Sequence, residues 1–374
     1  MHYFDCFTSN TCAGSGNQLL FDTDPGEIRT GRLYYKVFAR GRYSYSVLFS
    51  NTVDSTFADG SQCCRNTLGG HWEILEARAA VCPGDVLGED VESKAAAAWI
   101  NDRELAFVPL TFDGSAGKAV SPGEFFHCDP VELEFAAGDY LCVELVFRGS
   151  GIPYHEESQL PVYIKRSGGW EYCKHLPFAS MVGCDRPVTQ RIGFLGDSIT
   201  QGCGTGVNTY VHWNAVLANR LGADYAYWNL GLGYGRANDA ATDGVWLNRA
   251  KHNDVVVVCY GVNDIFQLGD ENRLMADLEK IVDCLNAAGV KVVLQTIPPF
   301  DYEGKNIMIW QRVNDHIRDA LSKKAALVFD VVPWLGQDEA HPHMAKFVGH
   351  PNAEGCAVWA NALHDALMDS GLVK

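Results

Sequence analysis

The chain has 374 residues, a formal net charge of −16 and 47% hydrophobic residues. That length holds two domains and that apolar content a buried core. The acidity excludes function classes built on nucleic acid or an anionic membrane surface.

Met1–Cys6 lacks the basic start and apolar stretch of an export leader. No apolar run approaches the ~18 residues of a membrane span. Thirteen cysteines, an odd number, are scattered without a dense framework. A cytoplasmic protein with free thiols is therefore expected, with Cys63 and Cys64 read as buried apolar thiols. No Cys/His cluster has zinc-finger spacing, His341-Pro342-His343 is set aside as a metal motif, and no metal or organic cofactor is expected.

The first half reads as β. Leu33–Phe38 and Tyr43–Phe49 are aromatic and β-branched. Val131–Phe135 alternates, and Ala136-Ala137-Gly138-Asp139 turns the chain into Tyr140–Phe147, which predicts a hairpin in a two-sheet sandwich or jelly roll. Only Ser93–Trp99 has the pattern of a short helix before residue 190.

The rhythm changes near Gly183–Pro187, which divides the chain into a domain 1–185 and a domain 186–374. Strands are predicted at 191–196, 224–229, 254–260, 291–296 and 326–330. Between and after them run apolar stripes at helical spacing: Tyr210/Trp213/Leu217/Leu221, Leu274/Leu278/Ile281/Leu285, Trp310/Val313/Ile317/Leu321 and Cys356/Trp359/Leu363/Ala366. Five strands alternating with helices predict a parallel sheet covered on both faces, a flavodoxin-like three-layer α/β domain.

Four short motifs sit at the ends of these strands. Gly196-Asp197-Ser198-Ile199 follows the first, Asn229-Leu230-Gly231-Leu232-Gly233-Tyr234-Gly235 ends the second, Gly261-Val262-Asn263-Asp264 follows the third, and His350-Pro351 precedes the last helix. In this order they resemble blocks I, II, III and V of the SGNH (GDSL-type) serine ester hydrolases, over about residue 187 to the end. The resemblance implies Ser198 as nucleophile and an oxyanion hole made of the Ser198 amide, a block II glycine amide and the Asn263 side chain. The family spaces the block II Asn and Gly by five, which here reaches Tyr234. Gly233 is the preferred donor and Gly235 the alternative. Asp197 and Asp264 are read as supports that accept backbone N–H bonds in turns.

Block V in the family is Asp-x-x-His, but Phe347 occupies the Asp slot before His350. Asp338-Glu339-Ala340-His341 matches the pattern literally, without a helix to follow. His350 is favoured as the base, His341 is the alternative, and Asp338, Glu339 or a backbone carbonyl would orient the imidazole. Ser–His dyads and a preceding β-sandwich resemble carbohydrate esterase family 2. That implies an acetylated oligosaccharide as substrate and small-acyl ester hydrolysis as the activity. The rival readings are a lysophospholipase or thioesterase on the same scaffold and a decayed sugar-binding protein. A homo-oligomer stays open. Trp213, Tyr234 and Trp310 are candidates to line a sugar cleft, with Trp213 and Trp310 better explained as core by their helical spacing.

Overall fold

The structure is a computed structural model that describes residues 2–24, 26–54, 66–84, 90–93, 96–98, 100, 104–336 and 344–373. It separates into two compact units. The first holds Met1–Val53, Asn66–Pro187 and Gly206–Thr209; the second holds Asp54, Val188–Thr205 and Tyr210–Lys374.

The first unit is β-rich, with two antiparallel sheets of five and seven strands. Gly41–Ser50 is central in one and is flanked by Met181–Cys184 and by Val131–Phe135, where Leu133 faces Tyr43. Tyr140–Gly149 is central in the other, between Arg29–Lys36 and Trp72–Cys82. Rings of the two sheets touch, Trp72 against Phe126 at 6.0 Å.

The expected hairpin of Val131–Phe135 with Tyr140–Phe147 does not form, because the two strands belong to different sheets. Their burial explains this. Val131–Phe135 hides one face only, whereas Tyr140–Leu145 is buried on both and so takes a central place with partners on either side. The Ala136–Asp139 turn, in which Asp139 Oδ2 accepts the Ala136 N–H at 2.8 Å, carries the chain from one sheet to the other. A helical turn at 96–98 starts from Ser93, whose Oγ accepts the Ala96 N–H.

The second unit is α/β. Its strands are β1 (Gln190–Gly196), β2 (Tyr225–Gly231), β3 (Val255–Cys259), β4 (Lys291–Gln295) and β5 (Leu327–Phe329). Its helices are α1 (Ser198–Gln201), α2 (Trp213–Leu221), α3 (Ala237–Ala240), α4 (Val245–Ala250), α5 (Val262–Gln267), α6 (Glu271–Ala287), α7 (Lys305–Asp319), α8 (Val332–Leu335) and α9 (Ala353–Ser370). The strands pair in parallel in the order β2-β1-β3-β4-β5, the flavodoxin-like order. Val255-Val256-Val257-Val258 in β3 is completely buried, as a strand covered on both faces requires.

Helix α2 packs on α9, and α6 on α7. Trp213 and Trp359 stack at 4.9 Å with rings 8° from parallel, both fully buried. Trp310 is buried as well, and its Nε1–H donates to the Ile297 carbonyl at 2.9 Å. Both candidate cleft tryptophans are thus core residues, while Tyr234 is 42% exposed. An ion pair also lies in this unit: Arg249 of α4 meets Asp54 at 2.8 Å, with side chains 2% and 0% exposed.

All eleven described cysteines are free thiols; Cys63 and Cys64 lie outside the described residues. Among the described residues no helix is long and apolar enough to cross a membrane, and no group of three His, Cys, Asp or Glu is placed to hold a metal ion.

Candidate functional site

In an open parallel sheet the crevice forms where the strand order reverses, beyond the carboxyl ends of the strands. Here the reversal is at β1, which has β2 on one side and β3 on the other. Ser198 follows β1, the Leu232–Gly235 turn follows β2, and Asn263 follows β3. The fold therefore gathers three of the four motifs at one edge of one sheet.

Ser198 opens α1 and is 9% exposed. Asp197 precedes it as the N-cap, its Oδ1 accepting the Ile199 N–H at 3.0 Å. The Ser198 N–H sits in the first turn, where amides have no acceptor within the helix. Its Oγ lies 2.8 Å from His350 Nε2. The fourth motif thereby joins the site from a position 152 residues along the chain.

His350 is half-buried, and burial lowers its pKa below the usual 6.5. It is therefore a neutral imidazole at pH 7, able to accept the hydroxyl proton. Gly204 leaves the room it occupies, since a Cβ there would stand 2.8 Å from His350 Cβ. After it, Asn352 caps α9 through Oδ1 and the Gly355 N–H at 3.0 Å, which fixes the end of the segment that carries the imidazole. Phe347, in the slot where an orienting acid was sought, is buried and packs against Gly355. That position serves the core. Among the described residues no carboxylate pairs with His350. Asp338, Glu339 and His341 lie outside the described residues, as does His343.

The block II residues act partly as scaffold. Asn229 Oδ1 accepts the Gly231 N–H at 2.9 Å, and its Nδ2 donates to the Gln201 carbonyl at 3.3 Å. The Gly233 N–H donates to Gln201 Oε1 at 2.5 Å, and the Gly235 N–H to the Leu232 carbonyl at 3.0 Å. Both glycine amides are engaged inside the protein. Between them stands Tyr234 with φ +59°, in the left-handed region that disfavours a residue with a Cβ. Strain of this kind concentrates at functional sites. Sequence spacing pointed at this residue without resolving which amide is presented.

Asn263 is the second residue of α5, and its Nδ2 donates to the Gly235 carbonyl at 3.0 Å. That bond uses one amide hydrogen and leaves the second for another acceptor. It also ties block III to block II. Asp264 caps α3 instead of facing the serine, its carboxylate accepting the Ala237 and Asn238 N–H groups at 2.9 and 3.2 Å. Burial raises both Asp197 and Asp264 to about 7, with their mutual repulsion adding to the rise at Asp197.

A ring group was not anticipated from the sequence. Phe300, in the loop after β4, stands edge-on to His350 at 5.7 Å, and Phe266 of α5 lies 5.4 Å from Phe300. Only the contact order of the fold places residues 266, 300 and 350 together.

The geometry comprises a hydroxyl on an imidazole, a helix-start amide and a carboxamide at the same sheet edge. It suits nucleophilic acyl transfer with stabilisation of an oxyanion. Comparison with known families agrees. Residues 194–358 match the GDSL-like Lipase/Acylhydrolase family, and this part of the chain is a GDSL-like lipase/acylhydrolase domain. No curated protein matches. Similar solved structures include a member of the lipolytic protein G-D-S-L family from Veillonella parvula, with 17% identity over 48% of this chain and 98% of that one at a TM-score of 0.39. A psychrotrophic esterase from Pseudoalteromonas sp. gives 17% over 48% and 97% at 0.39. A carbohydrate acetylesterase family member from Sinorhizobium meliloti gives 16% over 49% and 99% at 0.41.

Proposed function

We propose that the protein is a serine esterase that removes small acyl groups, foremost acetyl, from a carbohydrate. The observation that carries this reading is the 2.8 Å approach of Ser198 Oγ to His350 Nε2 at the switch point of the sheet. Ser198 attacks the ester carbonyl while His350 takes its proton. The tetrahedral oxyanion is held by the Ser198 N–H, the second hydrogen of Asn263 Nδ2 and an amide of the Leu232–Gly235 turn. Gly233 serves there when it exchanges its bond to Gln201 for the oxyanion; otherwise Tyr234 presents the intervening amide. Collapse returns the proton from His350 to the alcohol oxygen, leaving an acetyl-Ser198 that water, activated by the same imidazole, hydrolyses. Asp338 or Glu339 orients the imidazole in this scheme, or a backbone carbonyl does so. The β-rich unit is read as a sandwich accessory domain.

What supports acetyl over a long acyl chain is a short catalytic unit in which the sequence shows no apolar insertion between the motifs. The test is hydrolysis of p-nitrophenyl acetate, butyrate and octanoate by wild type, Ser198→Ala, His350→Ala and His341→Ala, with a serine-directed fluorophosphonate probe in parallel. Acetate preference and labelling, both lost with Ser198 and His350 but kept with His341, are expected. Octanoate preference favours the lysophospholipase or thioesterase reading. Turnover that survives Ser198→Ala refutes the mechanism.

A further inference from the structure

We infer that Phe266, backed by Phe300, forms the subsite for the alcohol half of the ester and receives the apolar face of a sugar ring. The inference rests on the esterase reading and names which side of the site holds the carbohydrate.

His350 Nε2 is the atom that hands its proton to the departing alcohol, so the alcohol skeleton must lie on the imidazole side of Ser198. On that side the ring of Phe300 stands at 5.7 Å and 79° to His350, and Phe266 follows at 5.4 Å and 69° to Phe300. Phe266 and Asn263 are three residues apart on α5, a spacing that puts both on one face of the helix. The ring thus shares a face with the carboxamide assigned to the oxyanion.

The two rings are held, which makes them a platform rather than loose surface. Phe266 stacks on Tyr302 at 5.4 Å with planes 25° apart, and Tyr302 is buried against Trp310 at 5.8 Å. Phe300 is clamped by the chain that delivers the base: a Cβ at Gly349 would sit 2.5 Å from the ring. Phe266 nevertheless keeps 46% of its surface exposed. A fixed, exposed phenyl face loses little entropy on binding, and the axial C–H face of a pyranose is the flat apolar surface it fits. Neither ring carries a donor or acceptor for the sugar hydroxyls, so the contact selects for a ring and tolerates its substitution pattern.

The test holds the acyl group constant. The ratio of kcat/KM for an acetylated methyl pyranoside to kcat/KM for ethyl acetate is measured in wild type, Phe266→Ala and Phe266→Trp. The ratio should fall about tenfold in Phe266→Ala, at the strong end of what one aromatic contact contributes, and recover in Phe266→Trp. Inhibition by the unesterified methyl pyranoside should weaken alongside. Fluorophosphonate labelling of Ser198 checks that the variant is folded. An unchanged ratio, or a shift instead in the ratio of ethyl octanoate to ethyl acetate, overturns the assignment and moves Phe266 to the acyl side or out of the site. Wild type that neither hydrolyses esters nor labels at Ser198 overturns the esterase reading with it, an outcome distinct from the other two.

Discussion

Asp54→Ala removes one partner of an ion pair that is almost completely dry. Arg249 has a 2% exposed side chain and Asp54 none, at 2.8 Å. Removing the carboxylate breaks this buried pair from one side, for which a loss of ~3–5 kcal/mol is typical. At ~2–4 °C per kcal/mol for a unit of this size, the transition of the second unit should drop by roughly 6–20 °C. Replacing both partners with apolar groups is often neutral, so Asp54→Ala/Arg249→Met should recover most of that loss even though it carries one more substitution. Urea unfolding followed by tryptophan fluorescence, with Ser198 labelling to assign the transition, measures both. The reasoning fails if the single variant loses less than ~1 kcal/mol, or if the double variant is no more stable than the single. A fragment starting at residue 188 lacks Asp54 altogether and should inherit the same defect.

Three further outcomes are expected. Asn263→Ala should lower kcat about 10²–10³-fold with little change in KM, because the lost donor acts on the transition state; an equal rise in KM would assign it to substrate binding. Since burial depresses His350 below 6.5 and the neutral form is the base, kcat/KM should be flat at pH 7 and fall only as pH drops below 6.5, so an apparent pKa above 6.5 in the free enzyme contradicts the site. Asp197 is raised to about 7 by burial, so the folded state holds a proton that the unfolded state, near 3.8, releases. Stability should therefore decline as pH rises from about 4 to about 7, by up to ~1.4 kcal/mol per unit. Asp197→Asn, which keeps an acceptor for the Ile199 N–H, should flatten that decline; an unchanged slope in denaturant titrations across this range would refute it.

The catalytic unit was legible because each of its signals is local. Runs such as Val255–Val258 announce buried parallel strands, and Ser198 and Asn263 follow such runs directly, where chain direction alone puts them at the chemical edge of a sheet. The β-rich unit was legible as strands but not as pairings. The period-two pattern of Val131–Phe135 says that one face is buried and says nothing about which sheet buries it; only the double burial of Tyr140–Leu145 decides. The amides of Gly233 and Gly235 could not be ranked from spacing, since what engages them is a side chain, Gln201, and a carbonyl, Leu232. The placing of Phe300 beside His350 and of Asp54 against Arg249 was invisible for a related reason: each depends on a partner far away in the chain, and neither carries a residue pattern of its own.

The separation of Ser198 from His350 has a consequence for biosynthesis. At ~5–20 residues per second a ribosome needs roughly 8–30 s to travel the 152 residues between them. Throughout that interval the nascent chain carries a serine with no base and a sheet still short of its later strands. In the esterase reading the hydroxyl gains its base only once the segment carrying His350 has left the exit tunnel. Stalled chains ending before residue 350 should resist fluorophosphonate, while chains extending through α9 should react.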